Sequence, residues 1–184
     1  LRAWMYMELF NLMHNIPIVT DYPTDELPSQ SSPQETFAFL ERELKESLPL
    51  LKKKSGSEGN GVSQGLWNQG ATAALLARLY MNASWWIGED RSSDCETLCQ
   101  DIIDGVYGNY SLAERWDAPF DWDNDKCNEV LYAFPSAYGS AHWHYSWGMY
   151  FVSAPWNAQP YYGFYDWGQM GCKFALQPGL DLNG

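Results

Sequence analysis

The chain has 184 residues, a formal net charge of -12 and an aromatic fraction of 16% that includes 10 Trp; its length suffices for one domain with a real hydrophobic core. With 23 acidic against 11 basic residues it repels phosphate backbones and anionic membrane surfaces, so nucleic acid is excluded as a partner and neutral or cationic ligands fit better. No apolar run reaches 18 residues, so no segment reads as a membrane span.

Residues 1–13 form the first predicted helix, with Leu1, Met5, Leu9 and Leu12 as its expected buried stripe. Pro17 stops it ahead of an extended passage, IPIVTDYP. Ser32 and Glu35 then make a capping box, with Pro33 at the first helical position of a helix over 33–48. Its core residues are Phe37, Leu40, Leu44 and Leu48, while Glu41, Arg42, Lys45 and Glu46 face water. The KKKSGSEGNG run that follows reads as a solvated loop. A third helix spans 69–87. Its small residues Gly70, Ala74 and Ala77 are expected to line a close helix–helix contact, and Leu75, Leu79 and Trp86 supply bulk. Ser93 and Glu96 form a second capping box for a fourth helix over 94–105, carrying Leu98, Cys99, Ile102 and Ile103 until Gly105 and Gly108 release it. The last two helices make an αα-hairpin and the first two a partner pair. The fold class is therefore mainly α, built from tetratricopeptide-like helix pairs, although the literal tetratricopeptide consensus is absent.

From about Tyr110 the pattern changes. One short candidate strand, Val130 to Phe134, precedes a loop-like stretch, Tyr138 to Trp167, that is dense in aromatic residues and punctuated by Gly and Pro. Residues 1–115 thus read as a helical scaffold, and 116–184 as a loop-rich, ligand-facing region of the same domain. Aromatic faces suit pyranose rings, because the axial C–H groups of a sugar form an apolar plate. Burying one such plate contributes on the order of 1–2 kcal/mol, so several platforms are needed. The stacking candidates are Trp143, Trp147, Trp156, Tyr161, Tyr162 and Trp167, with His144, Asn157, Gln159 and Asp166 to order the hydroxyls.

Other chemistries find little support. Asp121, Asp123, Asp125 and Glu129 are hard oxygen donors, yet the spacing fails the calcium-loop pattern. The Asp residues between 117 and 125 lie in one polar turn, where they are solvated and not set across a cleft as in glycoside hydrolases. His142, His144, Cys127 and Cys172 match no metal spacing. The four cysteines, with Cys95 and Cys99 one helical turn apart, read as reduced and mostly buried. No catalytic residue, metal or cofactor is expected.

Several stretches together resemble the RagB/SusD family. LRAWMYMELFNLMHNIPIVT is similar to that family's RA-helix-GxxP passage, although His14 and Asn15 stand where a Gly is usual. FLERELKESLPLL, GATAALLARLYMNASWW, CQDIIDGVYGNYSL and DNDKCNEVLYAFP resemble four further family passages in the same order, so the resemblance covers roughly residues 1–134. It implies a non-catalytic, outer-membrane lipoprotein that captures oligo- or polysaccharide at the cell surface and delivers it to a SusC-like TonB-dependent transporter. A helical-repeat module binding a peptide or protein is the alternative. The chain opens at Leu1 without a signal region and closes on QPGLDLNG, so the lipid anchor is expected outside it.

Overall fold

The computed structural model describes residues 1–21, 27–54, 65–121, 124 and 127–133. The chain divides into two compact units, Leu1–Pro135 and Ser136–Gly184, and every described residue belongs to the first. Among the described residues five α-helices carry it: α1 (Arg2–Met13), α2 (Pro33–Ser47), α3 (Gln69–Met81), α4 (Ala83–Trp86) and α5 (Ser92–Ile103). Consecutive pairs pack as α1 on α2 and α3 on α5, with α2 also against α3. The fold is mainly α and built of helix pairs, as the periodicity requires.

The core runs between these pairs through Met7, Phe10, Phe37, Leu40, Leu44, Leu76 and Leu79, all buried. Here α1 departs from the expected register. Leu1, Met5, Leu9 and Leu12 are exposed, and Ala3, Met7 and Phe10 are buried instead. Both stripes follow the i, i+4, i+7 rule on a helix apolar nearly all round. The buried one wins because it carries Phe10, which packs on Trp86 at 4.8 Å between ring centroids. On the flank, Tyr6 edges onto Phe39. Its hydroxyl donates to the Val19 carbonyl at 2.8 Å and accepts from the Val19 N–H at 2.9 Å, which clamps the extended passage onto α1.

His14 ends α1 at φ 65°, ψ -59°, and the Asn15 N–H donates to the Met13 carbonyl at 2.7 Å. This three-residue ring is a γ-turn in its rare positive-φ form, a strained conformation for a residue with a Cβ. The RagB/SusD passage that this segment resembles has Gly at this turn, a residue that takes positive φ without strain.

The Ser32–Glu35 capping box forms as expected: the Glu35 N–H donates to Ser32 Oγ at 3.2 Å and the Ser32 N–H to Glu35 Oε2 at 2.8 Å. The second expected box does not. Asp90 Oδ1 takes the Ser92 N–H at 2.9 Å and starts α5 earlier, leaving Ser93 inside the first turn. Cys95 and Leu98 face the core, whereas Cys99 and Ile103 are exposed. Cys95 and Cys99 are free thiols, the first buried and the second exposed, and Cys127 is buried.

Glu41 does not face open water. Its Oε1 accepts from Lys45 Nζ at 2.7 Å, Tyr80 Oη at 2.7 Å and Arg91 at 3.0 Å, while Arg91 also holds Asp94 at 2.6 Å. One carboxylate thus ties α2 to α3 and to the start of α5. Burial pushes the Glu41 carboxyl up, but these three donors outweigh it and hold it down to about 2.

Candidate functional site

The ten residues singled out for ligand contact, from Trp143 to Trp167, lie outside the described residues, as does Phe134 at the end of the expected strand. Residues 130–133 form no strand; among the described residues the β-type pairing is a single parallel bridge, Lys54 to Gly108. Side chains hold this segment in place of a ladder.

The reason lies in a polar cluster that sequence reasoning missed. α5 ends through Gly105 and Gly108, both at positive φ. A Cβ at Gly108 would stand 2.9 Å from Lys54 Cβ, so only glycine permits the bridge. The chain then inserts Tyr110 under the start of α3, against the bare Cα of Gly70. Gly70 therefore admits a phenol ring and not a neighbouring helix. Tyr110 Oη donates to Asn68 Oδ1 at 3.1 Å. That same oxygen caps α3 by accepting the Ala71 N–H at 2.8 Å, and Asn68 Nδ2 donates to the Leu131 carbonyl at 3.3 Å.

Lys54 is only 7% exposed, so the KKK run is not wholly solvated. Its Nζ donates to the carbonyls of Asn128 at 3.2 Å and Val130 at 3.4 Å and lies 4.8 Å from the centre of the Tyr110 ring. Burial lowers the Lys54 pKa, and the Cys127 thiol partly offsets this. The only signal in the sequence was the third lysine's place at the end of a basic run, which looks like any solvated charge.

Lys54 and Asn68 together pin residues 128–131, of which Asn128, beside Cys127, lines an open cleft of about 300 Å³. Its lining includes Ser111, Ala113, Arg115, Asp121, Cys127 and Asn128. Asn128 Nδ2 donates to Ser111 Oγ at 3.1 Å, but Asn128 Oδ1 is buried without a hydrogen-bond partner. The opposite wall is the turn over residues 115–121, a 3-10 element at Ala118–Phe120. Arg115 forks onto Asp117 at 2.9 and 2.6 Å and stands 3.7 Å from Asp121. The Arg115 bond holds the Asp117 carboxyl below its usual range. Trp116 and Phe120, on this same turn, are 85% and 72% exposed. Among the described residues no three His, Cys, Asp or Glu side chains converge on a metal position. The cleft lining offers a hydroxyl, an amide, a thiol and a guanidinium paired with carboxylates.

No family model and no curated protein matches this sequence. Among solved structures, the chain is similar to a SusD-like protein from Bacteroides fragilis, with 21% sequence identity and a TM-score of 0.58. The match covers 71% of this chain and 24% of that one, so the chain spans about a quarter of the neighbour's length. The likeness is one of fold.

Proposed function

We propose that this chain belongs to a RagB/SusD-type, non-catalytic glycan-binding protein of the outer membrane, lipid-anchored at the cell surface and passing oligo- or polysaccharide to a SusC-like TonB-dependent transporter. The observation that carries this reading is the shared fold with a SusD-like protein. The ordered motifs support it: the GATAALLARLYM passage is α3, CQDII closes α5, and the GxxP passage has a positive-φ residue at the family's Gly position. In this reading residues 1–115 are scaffold and 116–184 face the ligand. Trp143, Trp147, Trp156, Tyr161, Tyr162 and Trp167 supply stacking platforms, and His144, Asn157, Gln159 and Asp166 order the hydroxyls.

The test is titration calorimetry of the protein against neutral gluco-, manno-, galacto- and xylo-oligosaccharides, with chromatography of each sugar after incubation. Saturable binding with every sugar recovered intact is expected, and Trp→Ala changes at true platforms should weaken it roughly tenfold or more. Absence of binding to any glycan would refute the reading, and shortened sugars would refute its non-catalytic part. One observation favours a peptide- or protein-binding module instead: the exposed apolar stripe of Leu1, Met5, Leu9 and Leu12 along α1. That reading gains if no glycan binds while an amphipathic helical peptide does.

A further inference from the structure

We propose that Cys95 and Cys99, one turn apart on α5, form a two-thiolate site for a soft, singly charged d10 cation of the Cu(I) type, held in a linear S–Cu–S bridge. The site uses none of the residues of the glycan-binding reading and stands whether or not a glycan binds.

The helix brings the two sulfurs together. Residues four apart share a face, and each side chain leans towards the helix N-terminus, so the Cys99 sulfur tips back over Cys95. Cys95 is 8% exposed and belongs to the core between the helices, while Cys99 is exposed. Burial pushes the Cys95 thiol up, and the neighbouring Cys99 sulfur pushes it the same way, so the two groups sense each other. Packing accounts for Cys95, since an unbonded cysteine behaves as a small hydrophobe. It does not account for Cys99, which stands in solvent although cysteine is among the residues most often buried. The pair therefore has one sulfur anchored in the core and one that an ion can reach from outside.

The spacing decides between a disulfide and a metal. Cβ atoms four residues apart on a helix stand about 5–6 Å from each other, whereas a disulfide requires about 3.5–4.5 Å, so closing one here would distort α5. A metal–thiolate bond is about 2.3 Å long, so a linear S–M–S unit holds its sulfurs about 4.6 Å apart and fits between side chains at helical spacing. Two ligands in a line satisfy a d10 ion of single charge, and thiolates select soft ions. Zn(II) wants four ligands, and among the described residues no three His, Cys, Asp or Glu side chains converge. The carboxylates of α5 and its end are engaged elsewhere: Asp94 with Arg91, Asp101 with the Tyr107 hydroxyl and Asp104 with Gln100. Binding replaces the two thiol protons, which pass to solvent, by one Cu(I); two S–H bonds break, two S–Cu bonds form, and neither sulfur nor copper changes oxidation state. The bridge then staples one turn of α5.

The experiment is anaerobic titration of the reduced full chain with Cu(I) in competition with bathocuproine disulfonate, whose Cu(I) complex is coloured. The chains are wild type, Cys99→Ser, Cys95→Ala and the double variant Cys127→Ala/Cys172→Ala. Cys99→Ser carries the test even if Cys95→Ala fails to fold, because Cys99 is exposed and its replacement leaves the core intact. The site is supported if wild type and the double variant take up one equivalent with equal affinity, Cys99→Ser weakens uptake at least tenfold, and X-ray absorption of the bound copper shows two sulfur neighbours. Amide exchange within α5 should then slow by about tenfold on loading. No uptake by wild type overturns the proposal. So does unchanged uptake by Cys99→Ser, or loss of uptake in the double variant, since either places the ion on other ligands. A Cys95–Cys99 disulfide in the chain purified in air would overturn it as well, by showing that the helix lets the two sulfurs bond directly.

Discussion

Replacing Glu41 with Gln should remove an acid-sensitive part of the protein's stability. In the fold, three donors converge on one oxygen of this carboxylate, whose side chain is 20% exposed, and they hold its pKa at about 2 against 4.5 for the free group. A group whose folded pKa is depressed stabilises the fold above its unfolded pKa and loses that contribution as pH falls through the folded one. The window is therefore between about pH 4.5 and pH 2. A shift of this size corresponds to roughly 3 kcal/mol, which exposure of the Lys45 partner trims to about 2–3 kcal/mol. Urea unfolding followed by Trp fluorescence, on wild type and Glu41→Gln at steps from pH 7 to pH 2, reads this directly. The difference between the two should stand at its full value at pH 7 and pH 5 and shrink towards zero by pH 2, because a protonated Glu41 is nearly a Gln. Other carboxylates cancel in the difference. A gap that stays constant from pH 5 to pH 2.5 would refute the reasoning and show that the three donors act on the neutral and charged forms alike.

His14→Gly should raise stability by about 1 kcal/mol, by relieving the positive-φ γ-turn, less what the 5.6 Å stack on Phe10 contributes; a fall in Tm would show that the stack outweighs the strain. Gly70→Ala should lower stability by about 1–3 kcal/mol, since the new Cβ would strike a Tyr110 ring held in place by Asn68; unchanged urea unfolding would mean that the ring swings freely. Lys54→Met keeps the apolar stem but releases two carbonyls, so backbone amides over residues 128–131 should exchange faster, by roughly tenfold or more, while those in α2 do not; uniform exchange would remove Lys54 from the account of the cleft wall.

Helix positions were legible because each rests on local grammar. The capping box at Ser32 and Glu35, the Pro17 stop and the glycine exits at Gly105 and Gly108 are settled within a turn of chain, and the structure keeps all of them. Which face each helix buries was less legible. α1 is apolar on two faces, and the partner surface, Trp86 against Phe10, decides between them. Residues that depend on distant partners were the least legible. Glu41 and Lys54 both sit in charged runs that resemble ordinary solvated faces. Their roles come from Tyr80 and Arg91, 39 and 50 residues on, and from Asn128, 74 residues on.

The same contrast bears on where ligand recognition is found. Aromatic density drew attention to Trp143 through Trp167, because a run of rings in a Gly/Pro-punctuated stretch stands out against any composition. Trp116 is a single ring beside an Arg–Asp fork and stands out only when its exposure is known. A sugar site needs few rings but firm polar groups, since each stacked face contributes little and the hydroxyl bonds set orientation. Firmness is what Lys54, Asn68 and Gly108 supply to residues 128–131. Substituting them should speed amide exchange over residues 128–131, whereas Trp116→Ala, at an exposed ring, should leave that exchange unchanged.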